Sequence, residues 1–316
     1  MEARRPRIPR RSADSHGEGD EMSELGTGPL VVGVDGSGTA RGAVRWAAAE
    51  AARRRRALRI VYADVFALPA LPGIPGVRWS HAPRAEVRAE VRKWLADAAE
   101  IAQRQSPDLE VRTESVPGSP ASVLIEESVS AGLVVVGDRG LGGFSGLLAG
   151  SVAVAVAAHG HCATVVVRGR GEPADGPVVV GLDGSRQAPL LLEHGFAAAA
   201  AHDVPLHVVH TWNLVGVDSK WMRVGLAADE IEEGSHRLLA ELISGRREHH
   251  PDVRVQRFVA KGSPAATLLE HAAGATLVVV GTRGRGGFTG MLLGSTSQAL
   301  IHHAPCPVLI ARTPKR

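Results

Sequence analysis

Short apolar runs alternate along the chain with amphipathic stretches of roughly 10 to 20 residues. This pattern is typical of βαβ units, in which buried parallel strands are almost continuously apolar and helices connect them. It predicts ten strands, over residues 30–34, 58–63, 109–116, 133–136, 164–167, 178–182, 206–211, 253–259, 277–280 and 308–311. Helices are predicted between them, for example over 86–103 and 227–244. The pattern therefore predicts an α/β fold with parallel sheets.

The strands fall into two sets of five because the sequence repeats itself. Residues 31–37 recur at 179–185, an offset of 148, and residues 133–140 recur at 277–284, an offset of 144. The first copy therefore has four additional residues, which we expect in the Pro-rich stretch 68–83. We predict two tandem flavodoxin-like domains, each a five-stranded parallel sheet with helices on both faces.

The predicted domains cover residues 29–168 and 177–313, and a linker at 169–176 joins them. Residues 1–28 are predicted to form a disordered tail. The arginines near its start are not followed by the apolar segment of a signal peptide, and Met22 is an alternative start of the protein.

Composition and charge argue against several functional classes. The formal net charge is only +3, and the sequence shows no concentrated basic face of the kind that binds nucleic acids. The basic run 53–56 is expected to be the last turn of a helix. Cys162 and Cys306 occupy equivalent positions in the two copies, which suits reduced thiols in a cytoplasmic protein. No apolar run is long enough to predict a membrane span.

The repeated residues collect where the predicted strands end. Asp35 and Asp183 follow the first strand of each copy, and Gly137 and Gly281 end the fourth. In an open parallel sheet, ligands bind outside the carboxyl ends of the strands, at the point where strand order reverses. We therefore expect each aspartate to face the same crevice as the glycine of its own copy.

Each copy has a glycine-rich segment with identical spacing. Two residues separate its first two glycines and nine precede a final Gly-Ser pair, as in Gly137, Gly140, Gly150 and Ser151. Glycines allow backbone N–H groups to approach an anion, and a helix starting after the last glycine offers unpaired N–H groups. The serine would supply a hydroxyl as helix cap or phosphate ligand. Because both copies keep both gaps, we prefer a di- or triphosphate site over simple tight turns.

The pattern G-x2-G-x9-G-S after a Val-rich strand, in a domain that opens with V-G-x-D-G-S, resembles the universal stress protein family over about residues 30–312. The resemblance implies an adenine-nucleotide site in each copy of an adenine-nucleotide-hydrolase-like fold. It puts Asp35 and Asp183 at the adenine and ribose end, and the backbones of Ala63 and Thr211 against adenine. The implied remainder of the two sites is Val136, Gly137, Gly140, Gly150 and Ser151, and Val280, Gly281, Gly284, Gly294 and Ser295. It also implies that the last strands pair across a pseudo-two-fold axis, so that one chain mimics a homodimer.

The two copies differ near these sites. Asp138 stands where the second copy has Thr282, and a carboxylate beside phosphates would repel them unless it held Mg²⁺ or pointed away. We therefore expect tighter binding in the second copy. Stretches 68–83 and 212–224 also differ, and both are expected to reach over their crevices.

Other chemistry finds less support in the sequence. There is no Gly-Lys dipeptide for a Walker A loop, and neither segment matches G-x-G-x-x-G. The histidines and cysteines at 159–162 and 302–306 lack further partners at metal-like spacing, so no metal ligand is predicted. Ser37 and Ser185 are interpreted as helix N-caps and not as nucleophiles. Arg139 and Arg283 point either at phosphate or into solvent.

These observations lead to one preferred hypothesis and two alternatives. The preferred one is a cytoplasmic tandem stress-response protein that binds ATP, with or without Mg²⁺, and regulates an unidentified protein partner without contacting nucleic acid or membrane. No catalytic residue is predicted, and any hydrolysis would be slow. The alternatives are a slow ATPase or phosphotransferase and an interaction module with empty sites. Further homodimerisation is left open.

Overall fold

A computed structural model of the chain describes residues 26–65, 84–141, 149–168, 175–212, 228–284 and 292–312. The first copy contains β1 (Leu30–Val34), α1 (Gly38–Arg53), β2 (Leu58–Asp64), α2 (Arg84–Gln105), β3 (Val111–Pro117), α3 (Pro120–Glu127), β4 (Leu133–Gly137), α4 (Ser151–His159) and β5 (Thr164–Val167). The second contains β6 (Val178–Leu182), α5 (Ala188–His202), β7 (Leu206–Trp212), α6 (Ala228–Arg247), β8 (Val255–Lys261), α7 (Pro264–Ala272), β9 (Leu277–Gly281), α8 (Ser295–His303) and β10 (Val308–Ala311). Most of the predicted tail and most of the predicted linker lie outside the described residues, and the domain boundaries stay predictions.

The predicted strands agree with the observed ones except at some ends. Strands β1, β5, β6 and β10 have the predicted bounds, whereas β3 and β8 begin two residues later than predicted, at Val111 and Val255. Leu109 is in a turn instead, where its N–H donates to the carbonyl oxygen of Ser106 (3.1 Å). The equivalent strands β2 and β7 begin 148 residues apart, whereas the equivalent helices α2 and α6 begin 144 residues apart. The four additional residues of the first copy therefore lie between β2 and α2.

All ten strands form one sheet in the order β3-β2-β1-β4-β5-β10-β9-β6-β7-β8. Pairing is parallel within each copy, with β1 between β2 and β4 and β6 between β7 and β9. Each copy therefore has the order 3-2-1-4-5 of a doubly wound α/β sheet, and strand order reverses beside β1 and beside β6, between the first and fourth strands as expected. Strand β4 is buried along its apolar residues, and helices cover both faces of each half of the sheet.

The two copies join through their last strands, as the resemblance implied. Strands β5 and β10 pair antiparallel, with Val166 opposite Val308. Arg168, just after β5, donates to the carbonyl oxygens of Ile301 (3.1 Å) and His302 at the end of α8. Arg312, just after β10, makes the mirrored contacts with carbonyls at the end of α4. Each copy thus supplies a cation to the negative end of the other copy's helix.

A buried carboxylate also links the copies. Glu50 on α1 is fully buried, and its two carboxylate oxygens accept hydrogen bonds from Arg54 Nε (2.6 Å) and, across the interface, His202 Nε2 (3.0 Å). Burial by itself would raise the pKa of Glu50. The hydrogen bond from His202 and the charge of Arg54 outweigh it and lower the pKa to about 2.

One expectation about the helices needs correction. The basic run 53–56 does not form the last turn of α1, because the helix ends at Arg53 and Arg54 is its C-cap. Arg55 adopts a left-handed conformation with φ of 53°, which turns the chain towards β2. Within the described ranges, no helix has the length and apolar character needed to cross a membrane.

Candidate functional site

A cavity of about 690 Å³ opens at the carboxyl ends of β1, β2 and β4. Its lining includes all seven residues that the sequence assigned to the first site, namely Asp35, Ala63, Val136, Gly137, Gly140, Gly150 and Ser151. The volume falls within the range of about 300 to 1,000 Å³ that is usual for small-molecule sites. The residues come from four separate segments of the chain, and the parallel strand order brings them to one edge of the sheet.

The glycine segment leads directly into a helix. The N–H of Gly150 donates to the carbonyl oxygen of Asp138 (2.7 Å), and α4 begins at the next residue. Gly150 is the N-cap and offers no side chain, so the first-turn N–H groups of α4 have no side-chain cap. The cap interpretation of Ser151 and Ser295 is therefore wrong, since each is the first helical residue after a glycine cap. Both serines are exposed.

Asp35 fixes the glycine segment in position. Its Oδ1 accepts a hydrogen bond from the N–H of Ser37 (2.9 Å), and its Oδ2 accepts one from the N–H of Leu141 (2.8 Å). A Cβ atom on Gly140 would lie 2.5 Å from Asp35 Oδ2, so a side chain there would break this packing. The sequence indicated that Asp35 and Gly140 face one crevice, but not that one carboxylate ties β1 to the segment.

The two serines after the aspartates differ in role. Ser37 is the predicted N-cap of α1, because its Oγ accepts a hydrogen bond from the N–H of Ala40 (3.1 Å). The same prediction for Ser185 is wrong. Helix α5 starts at Ala188 with Gln187 as N-cap, and the Ser185 hydroxyl accepts a hydrogen bond from the N–H of that cap residue (3.4 Å). A proline in the first turn of α5 explains the later start, because proline favours that position.

The Asp138 carboxylate points away from the cavity. Its side chain is 3% exposed, and Oδ2 lies 3.6 Å from Arg139 Nε and 3.8 Å from Arg168 Nη2. Asp138 is not among the lining residues, whereas Arg139 is and has a half-exposed side chain. Asp138 is therefore not placed to repel phosphate groups in the first site. This removes the reason for expecting tighter binding in the second copy.

The second copy repeats the backbone arrangement. Asp183 Oδ1 accepts a hydrogen bond from the Ser185 N–H (2.9 Å), and a Cβ on Gly284 would lie 2.7 Å from Asp183 Oδ2. Gly294 donates to the carbonyl oxygen of Thr282 (2.7 Å), as Gly150 does to that of Asp138. The remaining predicted residues lie at the ends of β7 and β9 and at the start of α8, and comprise Thr211, Val280, Gly281 and Ser295.

Two aromatic side chains form one wall of the first cavity. They were not predicted from the sequence. Trp94, on α2, and Tyr62, on β2, both line it, with ring centroids 5.9 Å apart and planes at 55°. Burial, followed by the charges of Asp64 and Asp35, raises the pKa of Tyr62. A signal was present, since Tyr62 is the only tyrosine of the chain and directly precedes Ala63.

The histidines and cysteines do not assemble a metal centre in the part of the chain that the structure describes, where no three His, Cys, Asp or Glu side chains lie close enough. Both thiols are free. Burial raises the pKa of Cys162 to about 11 and that of Cys306 to about 12. The two thiols are therefore protonated at neutral pH and poor nucleophiles.

Comparisons with known proteins agree with this arrangement. The model of the universal stress protein family matches residues 27–168 and 176–312. A universal stress protein of Mycolicibacterium smegmatis is 38% identical over 290 residues, covering 90% of this chain and 96% of the relative. One of Mycobacterium tuberculosis is 35% identical over 295 residues, with the same coverage. A crystal structure of a universal stress protein from Archaeoglobus fulgidus covers 90% of this chain and 98% of its own, at a TM-score of 0.66 and 18% identity, and shares the fold.

Proposed function

Because the chain belongs to the universal stress protein family, with two consecutive family domains, we propose that it binds ATP in both copies and acts as a nucleotide-linked regulator of a stress response. One observation carries the proposal. The seven residues assigned to the first site from sequence line a single cavity, beside the uncapped start of α4. An uncapped helix start and a glycine-rich approach are the features that phosphate groups need.

The phosphates would lie against the N–H groups of Gly140 and the first turn of α4, with the Ser151 hydroxyl and Arg139 beside them. Asp35, after β1, and the backbone of Ala63, on β2, also line the cavity and would contact ribose and base. Asp35 is the one carboxylate among the described lining residues, and both of its oxygens accept backbone hydrogen bonds. N–H groups and Arg139 would therefore neutralise the phosphates, and we assign no protein ligand to Mg²⁺.

Binding would be linked to regulation through the glycine segment. ATP between β1 and β4 would bind the part of that segment that Asp35 holds, and so favour one form of a surface that a partner protein recognises. The proposal includes action in the cytoplasm. A slow ATPase or phosphotransferase remains the second candidate. The carboxylate of the described lining that could act as a base is Asp35, and backbone N–H groups bind both of its oxygens, which supports binding with slow hydrolysis at most.

The test begins with protein purified without added nucleotide. Denaturation should release adenine nucleotide, and calorimetric titration of the emptied protein with ATP should give two sites per chain. Gly140→Asp and Gly284→Asp should each remove one site, because the new carboxylate meets Asp35 or Asp183 and repels phosphate. Gly234→Asp is the matched control, since Gly234 is exposed on α6 with open space around it.

Two results would change the proposal. If no adenine nucleotide is released and added ATP has no measurable affinity, the regulator proposal is wrong. If the wild-type protein instead converts ATP to ADP continuously, and Gly140→Asp with Gly284→Asp abolishes the turnover, the enzyme becomes the preferred function.

A further inference from the structure

The turn that follows β1 has a different neighbour on each side. On one side Asp35 binds the glycine segment through the Leu141 N–H. On the other, the Trp94 indole lies against Gly36, whose φ is +86° and whose Cβ, if present, would lie 2.6 Å from Trp94 Cε2. The aspartate thus stands between the phosphate end of the cavity and an aromatic surface.

The indole is held in a defined position. Trp94 packs against the core cluster beneath α1 and α2, and the buried ring of Tyr62 lies at its side. The rest of the indole is partly exposed and lines the cavity. A fixed aromatic face that borders an otherwise apolar cavity is a suitable surface for a flat heterocycle, which would lose little additional freedom on packing there.

The second copy does not repeat this surface. The residue equivalent to Trp94 is Leu238, and the residue equivalent to Tyr62 is His210. His210 is buried, and its Nδ1 lies 2.8 Å from the carbonyl oxygen of Leu182. The two copies therefore offer the same phosphate-facing backbone with different side chains at the opposite end.

We propose that Trp94 is the surface on which the nucleobase packs in the first site, and that it makes this site selective for purine over pyrimidine nucleotides. The second site, with Leu238, discriminates less between bases. The inference rests on the proposed nucleotide function and specifies its chemistry. Purines have the larger aromatic face, so an indole favours them, whereas a leucine contacts any base similarly.

The experiment isolates the first site in a Gly284→Asp background. Titration with ATP, CTP and inorganic tripolyphosphate is compared for Trp94, Trp94→Leu and Trp94→Phe proteins. We expect Trp94→Leu to weaken ATP binding roughly tenfold and CTP binding less, and Trp94→Phe to retain most of the ATP affinity. Tripolyphosphate, which has no base, should bind all three alike. ATP should also quench tryptophan fluorescence less in Trp94→Leu than in Trp46→Phe, whose substituted residue is buried in the core.

A converse variant tests the difference between the copies. In a Gly140→Asp background, Leu238→Trp should raise the preference of the second site for ATP over CTP. The thermal unfolding midpoint of each variant without ligand checks that it is folded.

The outcomes separate this inference from the function on which it rests. If the Gly284→Asp protein binds ATP and Trp94→Leu leaves the ATP to CTP ratio unchanged, base recognition by Trp94 is wrong and nucleotide binding stands. If Trp94→Leu weakens ATP and tripolyphosphate equally, the residue only supports the fold of the site, and the inference is again wrong. If wild-type protein binds ATP but Gly284→Asp protein does not, the first site is not a nucleotide site. Absence of ATP binding to the wild-type chain overturns the proposed function itself.

Discussion

Three equivalent positions, where α3 and α7 cover the sheet, carry different chemistry in the two copies. In the first, Arg59 on β2 forms ion pairs with Glu114 on β3 and Glu127 on α3, each at 2.6 Å. In the second, the equivalent residues are aromatic, and Phe258 on β8 lies between His207 on β7 and His271 on α7, at centroid distances of 4.9 and 4.6 Å. Equivalent backbone positions thus carry three charged side chains in the first copy and three aromatic rings in the second.

The difference shows which parts of a duplicated fold change together. Contacting side chains are coupled, because a single exchange would leave a charge beside an aromatic ring or a carboxylate without its cation. The phosphate-facing segment is the same in both copies for a different reason. The hydrogen bonds from Gly150 to Asp138 and from Gly294 to Thr282 join backbone atoms only, and the aspartate beside the segment, Asp35 or Asp183, is present in both copies. The copies therefore differ mainly in their side-chain walls.

At the interface the first copy provides the Glu50 carboxylate, and each copy provides one side chain that binds it. Arg54 and His202 occupy equivalent positions, and both bind the Glu50 carboxylate, while the position equivalent to Glu50 is Ala198. Glu50 is therefore an interface contact that only the first copy provides, and the following predictions test the comparison from there outward.

The largest expected effect is that of Glu50→Ala. It leaves Arg54 and His202 without their buried partner, and should lower the free energy of unfolding by about 3 kcal/mol. Urea denaturation monitored by circular dichroism measures the change. Glu100→Ala is the control, since Glu100 and Arg104 form an exposed pair on α2 that should contribute less than about 0.5 kcal/mol. Equal, small losses in both variants would show that the interface does not depend on this carboxylate.

The same carboxylate predicts an acid dependence. The pKa of Glu50 is about 2 in the folded chain against 4.5 for an ordinary glutamate, so the unfolded chain binds the proton more readily. Its contribution is complete above about pH 4.5 and is lost as the pH falls towards 2. A shift of this size corresponds to about 3 kcal/mol. The difference in unfolding free energy between wild type and Glu50→Gln should therefore shrink between pH 6 and pH 3. A constant difference would contradict the assignment.

Exchanging Arg59, Glu114 and Glu127 has a smaller effect. Arg59→His alone leaves Glu114 and the largely buried Glu127 without their cation, and should cost about 1 kcal/mol in the free energy of unfolding. The triple variant Arg59→His, Glu114→Phe and Glu127→His installs the set of the second copy and should recover most of this loss. The urea denaturation midpoints of the single and triple variants measure the loss and its recovery. If the losses simply add, the three positions are not coupled.

The smallest expected effect concerns nucleotide affinity. Asp138→Thr gives the first copy the residue of the second, and should change its ATP affinity less than about twofold, because the carboxylate points away from the cavity. Calorimetry in the Gly284→Asp background measures the affinity, and Gly140→Asp shows what loss of the site looks like. A large gain in affinity would mean that Asp138 does repel the phosphates.

Much of the site could be predicted from sequence because its residues follow strands and helices of clear periodicity. The spacing of Gly137, Gly140 and Gly150, together with the position of Asp35 after β1, was enough to bring them to one crevice. The start of α5 was missed because a helix cap depends on local geometry that Ser185 alone does not reveal. Trp94 was missed because its helix lies between segments of low similarity, and only packing on Gly36 connects it to the cavity.

The sequence by itself determined that two parallel α/β copies exist, where most of their strands lie, and which glycines meet the aspartate of each copy. These features depend on hydrophobic periodicity and backbone freedom, which are local properties. Only the tertiary structure decided where side chains point. In the structure the Asp138 carboxylate lies near Arg168, and the arginines after β5 and β10 each donate to carbonyl oxygens of the other copy. Trp94 lines the first cavity. Such orientations depend on packing between residues far apart in sequence, and hydrophobic periodicity does not predict them.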